Sequence, residues 1–111
     1  MRAKIFSVYL LELENNKTYS GSTLSDQIKA RYRCHCRGDG AGWTNKYKPI
    51  RIIKTWGELT SPEALKKEHE VCVAQLVASA DLDKCRGGRY NFTKEGPDSW
   101  WWLPRSLEYL R

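Results

Sequence analysis

Nowhere does the chain hold a run of about 18 apolar residues, so it has no sequence that could span a membrane as a helix. It also lacks internal repeats and low-complexity stretches, which argues against solenoid architectures and disordered linkers. The opening Met1-Arg2-Ala3-Lys4 leads into only a short apolar stretch before Glu12, and no small-residue cleavage site follows. A secretory leader is therefore not expected, and an intracellular location is. Cysteine is sparse, with four in 111 residues, and a chain in a reducing compartment needs no disulfides, so free thiols are expected. The length is too short for two workable cores. A single domain over residues 1–111 is expected, with 93–111 forming a tryptophan-rich C-terminal extension.

What is present is an ordinary globular balance, 41% hydrophobic and 29% charged, with an uneven distribution of charge. Lys and Arg number 19 against 13 Asp and Glu, a net +6. Residues 29–54 alone hold eight basic residues and one acid, so this segment carries +7 and the remainder −1. A field of one sign attracts polyanions, phosphates above all, although such a patch also serves simply as a solvated face. Five Trp and six Tyr are a large aromatic load for this size, which suits both a core and a nucleic-acid surface.

Residues 5–13, Ile-Phe-Ser-Val-Tyr-Leu-Leu-Glu-Leu, read as a strand, and Glu14-Asn15-Asn16-Lys17 as a hairpin turn into a second strand from Thr18. Ser25 and Asp26 are good N-caps for a helix that ends at Gly38. Residues 38–48 read as a loop, and Pro49 to Trp56 as a third strand with its proline confined to the start. Thr60-Ser61-Pro62-Glu63 opens a helix that continues to about Ala80. Residues 81–90 are polar and glycine-rich, and the tail suits a short helix after Pro104. The expected fold is α/β, a small three-stranded antiparallel sheet flanked by helices.

Three groups of residues could carry chemistry. Tyr9 and Tyr19 fall on the two arms of the hairpin, where cross-strand packing is the ordinary role. Arg31 and His35 are four apart, on one face of a helix, where a guanidinium and an imidazole can hold a phosphate and move a proton. Glu63, Glu68 and Glu70 crowd one helix, and any of them could bind a divalent cation or simply face solvent.

Taken jointly, Val8-Tyr9, Tyr19-Ser20-Gly21-Ser22-Thr23, Arg31-x-x-x-His35 and a helical Glu68 resemble the GIY-YIG nuclease family over roughly residues 5–92. The run 40–49 and Cys85-Arg86-Gly87-Gly88-Arg89-Tyr90 look like segments of its small stand-alone members. The sequence departs from the pattern at Ser7, where the family has glycine, and at Ser20, where it has an apolar residue. The spacing from Tyr19 to Arg31 is also about two positions longer than in the family. The resemblance implies a DNA endonuclease that hydrolyses phosphodiesters with one divalent cation, Mg²⁺ or Mn²⁺. Glu63-Ala64-Leu65-x-x-Glu68 then makes Glu68 the metal ligand. Arg31 would neutralise the phosphate, and Tyr9, its pKa lowered by metal and basic surroundings, would activate water. Tyr19 would position phosphate or water, and His35 would relay the proton or contact phosphate. Which tyrosine is the base stays open.

DNA binding is expected from Arg33, Arg37, Lys46 and Lys48, with Trp43 or Tyr47 stacking on an exposed base. Trp43 equally suits a loop anchor in the core. The small size leaves room for specificity from a homodimer or a protein partner. Trp100-Trp101-Trp102 could close the core, make a dimer contact or touch substrate. Structural zinc at Cys34, Cys36, Cys72 or Cys85 is disfavoured by spacing. The alternative function is a non-catalytic DNA- or RNA-binding module of the same fold.

Overall fold

The computed structural model describes residues 4–111; the first three residues of the opening segment, on which the leader expectation partly rests, lie outside it. Strand β1 (Phe6–Leu13) turns through Glu14–Asn16 into β2 (Thr18–Leu24). Asn15 and Asn16 supply the left-handed backbone of that turn, a conformation their short polar side chains tolerate. A single 3-10 turn, Ser25–Gln27, leads into α1 (Ile28–Arg37), which stops at Gly38. The stretch expected as loop contains a short helix, α2 (Gly42–Lys46). Strand β3 (Pro49–Leu59) precedes α3 (Ser61–Ser79), whose start is fixed by reciprocal bonds between Thr60 and Glu63.

The sheet has four strands in the order β3-β1-β2-β4 and is mixed, which corrects the expected three-stranded antiparallel arrangement. The added strand, β4 (Cys85–Gly87), runs parallel to β2, with Thr18 opposite Cys85 and Ser20 opposite Gly87. Parallel neighbours require a crossover, and β3 with α3 supplies it. Three residues containing an arginine and a glycine show no strand pattern, so only the partner reveals this one.

β3 carries eleven residues against the eight of β1. The surplus falls at three register shifts, where Ile50, Ile53 and the Gly57–Glu58 step bulge out of the ladder. Ile50 and Ile53 are accordingly left in water.

Alternation along β1 builds two cores. Val8 and Leu10 pack with Ala64, Val71, Cys72 and Leu76 of α3, and with Cys85, Tyr90 and Leu107. Tyr9, Leu11 and Leu13 face the other way, onto Tyr19, Trp43, Ile28 and Tyr32 beneath α1 and α2. The tail forms two 3-10 segments, Pro97–Trp102 and Arg105–Leu110, and closes the α3 side with Trp102, Leu103, Leu107 and Leu110. No helix among the described residues is long and apolar enough to cross a membrane.

Candidate active site

β4 stops at Gly87, opposite Ser20, so it does not cover the β2 edge from Gly21 onward. Groups from both faces of the sheet meet at that open edge. From the α1 side come Tyr9, Tyr19, Arg31 and His35. Gly21 pairs with Tyr9, and a Cβ there would lie 2.5 Å from the Tyr9 Oη and 2.9 Å from Tyr19 Cε2. The glycine therefore makes the space in which both tyrosines sit.

His35 is fully buried between the tyrosines, with ring centroids 5.7 Å from Tyr9 and 5.1 Å from Tyr19. The Thr44 hydroxyl donates to the Ala41 carbonyl at 2.9 Å. Its oxygen then accepts the His35 Nδ1–H at 2.8 Å. With Nδ1 protonated, Nε2 is left as an acceptor, and the Tyr9 hydroxyl donates to it at 2.8 Å. The tautomer follows from the network. Burial, aided by the nearby Arg31 charge, pushes the His35 pKa down to about 4, so the ring is neutral at pH 7.

The lowered Tyr9 pKa expected above belongs to the metal-loaded site; without a cation the chain's own surroundings act the other way. Burial lifts the Tyr9 phenol to about 12; Arg31 beside it pulls downward without overcoming the desolvation. Burial likewise raises Tyr19, with Tyr9 and Glu68 adding to the effect. Both phenols are protonated at rest.

From the α3 side comes Glu68, half-buried. Its Oε2 accepts the Ser22 hydroxyl at 2.7 Å and its Oε1 the Gly88 N–H at 3.2 Å. Ser20 donates to the Glu68 carbonyl at 2.9 Å, which ties the helix to β2. Gly88 has a left-handed φ of +55°, and a Cβ there would come 2.6 Å from the His69 Cα. Only glycine brings this N–H so close to α3. Each carboxylate oxygen thus has one donor and keeps further lone pairs, a charged hard-oxygen ligand already oriented. That suits a magnesium-type cation, which keeps several waters and needs few carboxylates. The other two acids are used differently: Glu63 caps α3, and Glu70 is exposed.

Thr44, Ser20, Ser22 and Gly88 were not among the sequence candidates. The serines had a signal, since positions 20 and 22 share one face of a strand. Thr44 had none, because nothing in the local pattern shows which loop hydroxyl will reach His35.

The expected DNA-contact residues divide. Arg33 is exposed, and exposed Arg37 pairs with Asp39 at 3.3 Å. Lys48 donates to Asn45 Oδ1 at 3.1 Å. Lys46 and the Tyr47 hydroxyl both engage Glu95 at 2.5 Å. Trp43 is 0% exposed and donates its indole N–H to the Thr18 carbonyl at 2.9 Å, so it anchors α2 in the core and offers no face to a base. The four cysteines are free thiols, with Cys72 and Cys85 buried on the α3 side and Cys34 and Cys36 on α1.

Residues 5–73 match the GIY-YIG catalytic domain, a span that includes both tyrosines, Arg31, His35 and Glu68. A UPF0213 protein of Halalkalibacterium halodurans is 31% identical over 86 residues, which is 78% of this chain and 89% of the relative. One from Neisseria gonorrhoeae is 34% identical over 71% of this chain and 82% of its own length. A third, from Cupriavidus necator, is 38% identical over 58% and 67% respectively. These names state no activity. No solved structure matches. With the catalytic-domain model covering most of the chain and every clustered side chain inside it, the protein belongs to the GIY-YIG family, whose fold is that of a nuclease.

Proposed function

We propose that this protein is a metal-dependent endonuclease that hydrolyses phosphodiester bonds of DNA. The observation that carries the reading is the meeting of a proton relay and an oriented carboxylate at one open strand edge. Tyr9, His35 and Thr44 form the relay, and Glu68 is the carboxylate. A packing role needs no such convergence.

Glu68 would hold the Mg²⁺ or Mn²⁺, which supplies charge stabilisation to the developing oxyanions when bound. The remaining steps belong to the chain. Arg31 faces the non-bridging oxygens and offsets the charge that grows as water adds to phosphorus. As the water oxygen bonds to phosphorus, its proton passes to the Tyr9 oxygen while the Tyr9 proton moves to His35 Nε2. The P–O bond to the leaving strand breaks in the same displacement. Thr44 holds the His35 ring so that Nε2, never Nδ1, faces Tyr9. Tyr9 is left protonated by the proton taken from water, and His35, with a conjugate acid near pKa 4, gives up its extra proton readily, through solvent, to the departing strand oxygen.

Plasmid nicking in Mg²⁺ or Mn²⁺ tests this. Wild type should cut, and Glu68→Gln and Arg31→Ala should each lose roughly 10²-fold or more, the scale of a group acting only in the transition state, with folding kept. A wild type that binds DNA yet leaves plasmid, branched and single-stranded substrates uncut would be a binding module instead.

A further inference from the structure

The three consecutive tryptophans of the tail have three different fates. Trp100 donates its indole N–H to Asp83 at 3.0 Å. Trp102 packs at a tilt on Tyr90, with centroids 4.3 Å apart and an interplanar angle of 41°, against the α3-side core. Trp101 is 80% exposed. Its ring lies 6.0 Å from Phe92, over a cleft of about 470 Å³ that is also lined by Gly42, Asn91, Thr93 and Lys94. That volume lies within the range of pockets that take small ligands.

The cleft is built, not merely bare. Arg86 donates to the Lys94 carbonyl at 3.0 Å, and its guanidinium sits 4.7 Å from the Phe92 ring. Lys46 donates to the Thr93 carbonyl at 3.1 Å. The loop under Trp101 is thus pinned from both sides. Its one rim cation, Lys94, makes no ion pair among the described residues. Gly42 forms one wall, and two residues on, the same short helix supplies the Thr44 that holds His35.

An exposed indole beside an unpaired ammonium and a carboxamide fits one chemistry well: a flat π-face carrying hydrogen-bonding edges and a phosphate. We propose that this cleft takes an unpaired nucleotide of the nucleic-acid substrate, its base stacked on Trp101, its edge toward Asn91 and its phosphate toward Lys94. The proposal rests on the nucleic-acid reading above and adds a preference for substrates with a single-stranded tract. A fully paired duplex keeps its bases inside the stack and has nothing to offer the indole.

The test is fluorescence anisotropy with a labelled single-stranded oligonucleotide and its fully paired duplex in EDTA, using wild type, Trp101→Ala and Trp101→Phe, with plasmid nicking alongside. Trp101→Ala should weaken single-strand binding about tenfold, within the range for loss of one stacked base, and leave duplex binding unchanged. Trp101→Phe should restore most of the loss. Unchanged single-strand affinity, or an equal loss on both oligonucleotides, would overturn the proposal. So would a wild-type dimer that Trp101→Ala dissolves, since the indole would then be a protein contact. Failure of the nuclease reading looks different: no nicking by wild type, with the single-strand effect of Trp101 intact.

Discussion

Gly21 has no side chain, and the rings of Tyr9 and Tyr19 occupy the volume that one would fill. Gly21→Ala should therefore displace both phenols while leaving the β1–β2 ladder paired. Misplacement of about 1 Å can cost 10²-fold in rate, so nicking should fall on that scale while circular dichroism stays native. His35 gives a second residue-level outcome. Its unfolded pKa is about 6.5 and its folded one about 4. Between those values the unfolded chain binds the extra proton, so stability rises with pH across that window and is flat above it. The acid limb of the nicking rate that His35 causes should accordingly lie near pH 4. A limb centred near 6.5 in a pH–rate profile would mean that the ring is not the buried acceptor described. The residue types at positions 9, 19, 31, 35 and 68 were legible as a spaced set. The upward pull of burial on the metal-free phenols was not, because desolvation is set by what packs around them.

The elements with long, regular patterns are those a sequence reader finds. β1 and β2 show strand formers around a polar turn, and α3 announces itself with a cap, a proline and an acid at its start. β4 and α2 are too short to carry a period, and each is held by distant partners: Thr18 for β4, and Thr18 through Trp43 for α2. The two kinds of element respond differently to substitution. Thr60→Ala removes the helix cap and should cost α3 about 1 kcal/mol in a urea titration, with nicking per folded molecule preserved. Gly88→Ala does the converse. It drives a methyl group toward His69, pulls the N–H off Glu68, and should weaken Mg²⁺ affinity, read as a higher metal concentration for half-maximal nicking.

At the scale of the whole molecule, two charges, a buried Arg86 and a half-buried Glu95, join the family domain to its tail. The Arg86 guanidinium, in a residue 0% exposed, lies 4.7 Å from Trp43 and 5.6 Å from Trp102, and pairs with Asp83 at 3.0 Å. Glu95 receives Lys17, Lys46 and the Tyr47 hydroxyl. Burial alone would raise the Glu95 carboxyl; those three donors override it and bring the pKa to about 2. A carboxyl depressed from about 4.3 stabilises the fold fully above that value, and the contribution is lost as pH falls toward 2. Glu95→Gln should lower the urea midpoint at pH 7, and the gap to wild type should close as pH falls through that window. The pairing was not visible in the sequence, where Asp83 and Arg86 stood in a polar, glycine-rich stretch and Glu95 in the C-terminal extension.

The rim strand has a bearing on how copies of this chain meet. A visiting strand needs an unbroken file of amide and carbonyl groups to zip against, and β3 offers none. Ile50, Ile53 and Glu58 put the file out of step, so Lys54–Trp56 is its longest regular stretch. A border so interrupted is a poor template for edge-to-edge growth, and the two wet isoleucines are the visible cost of keeping it that way.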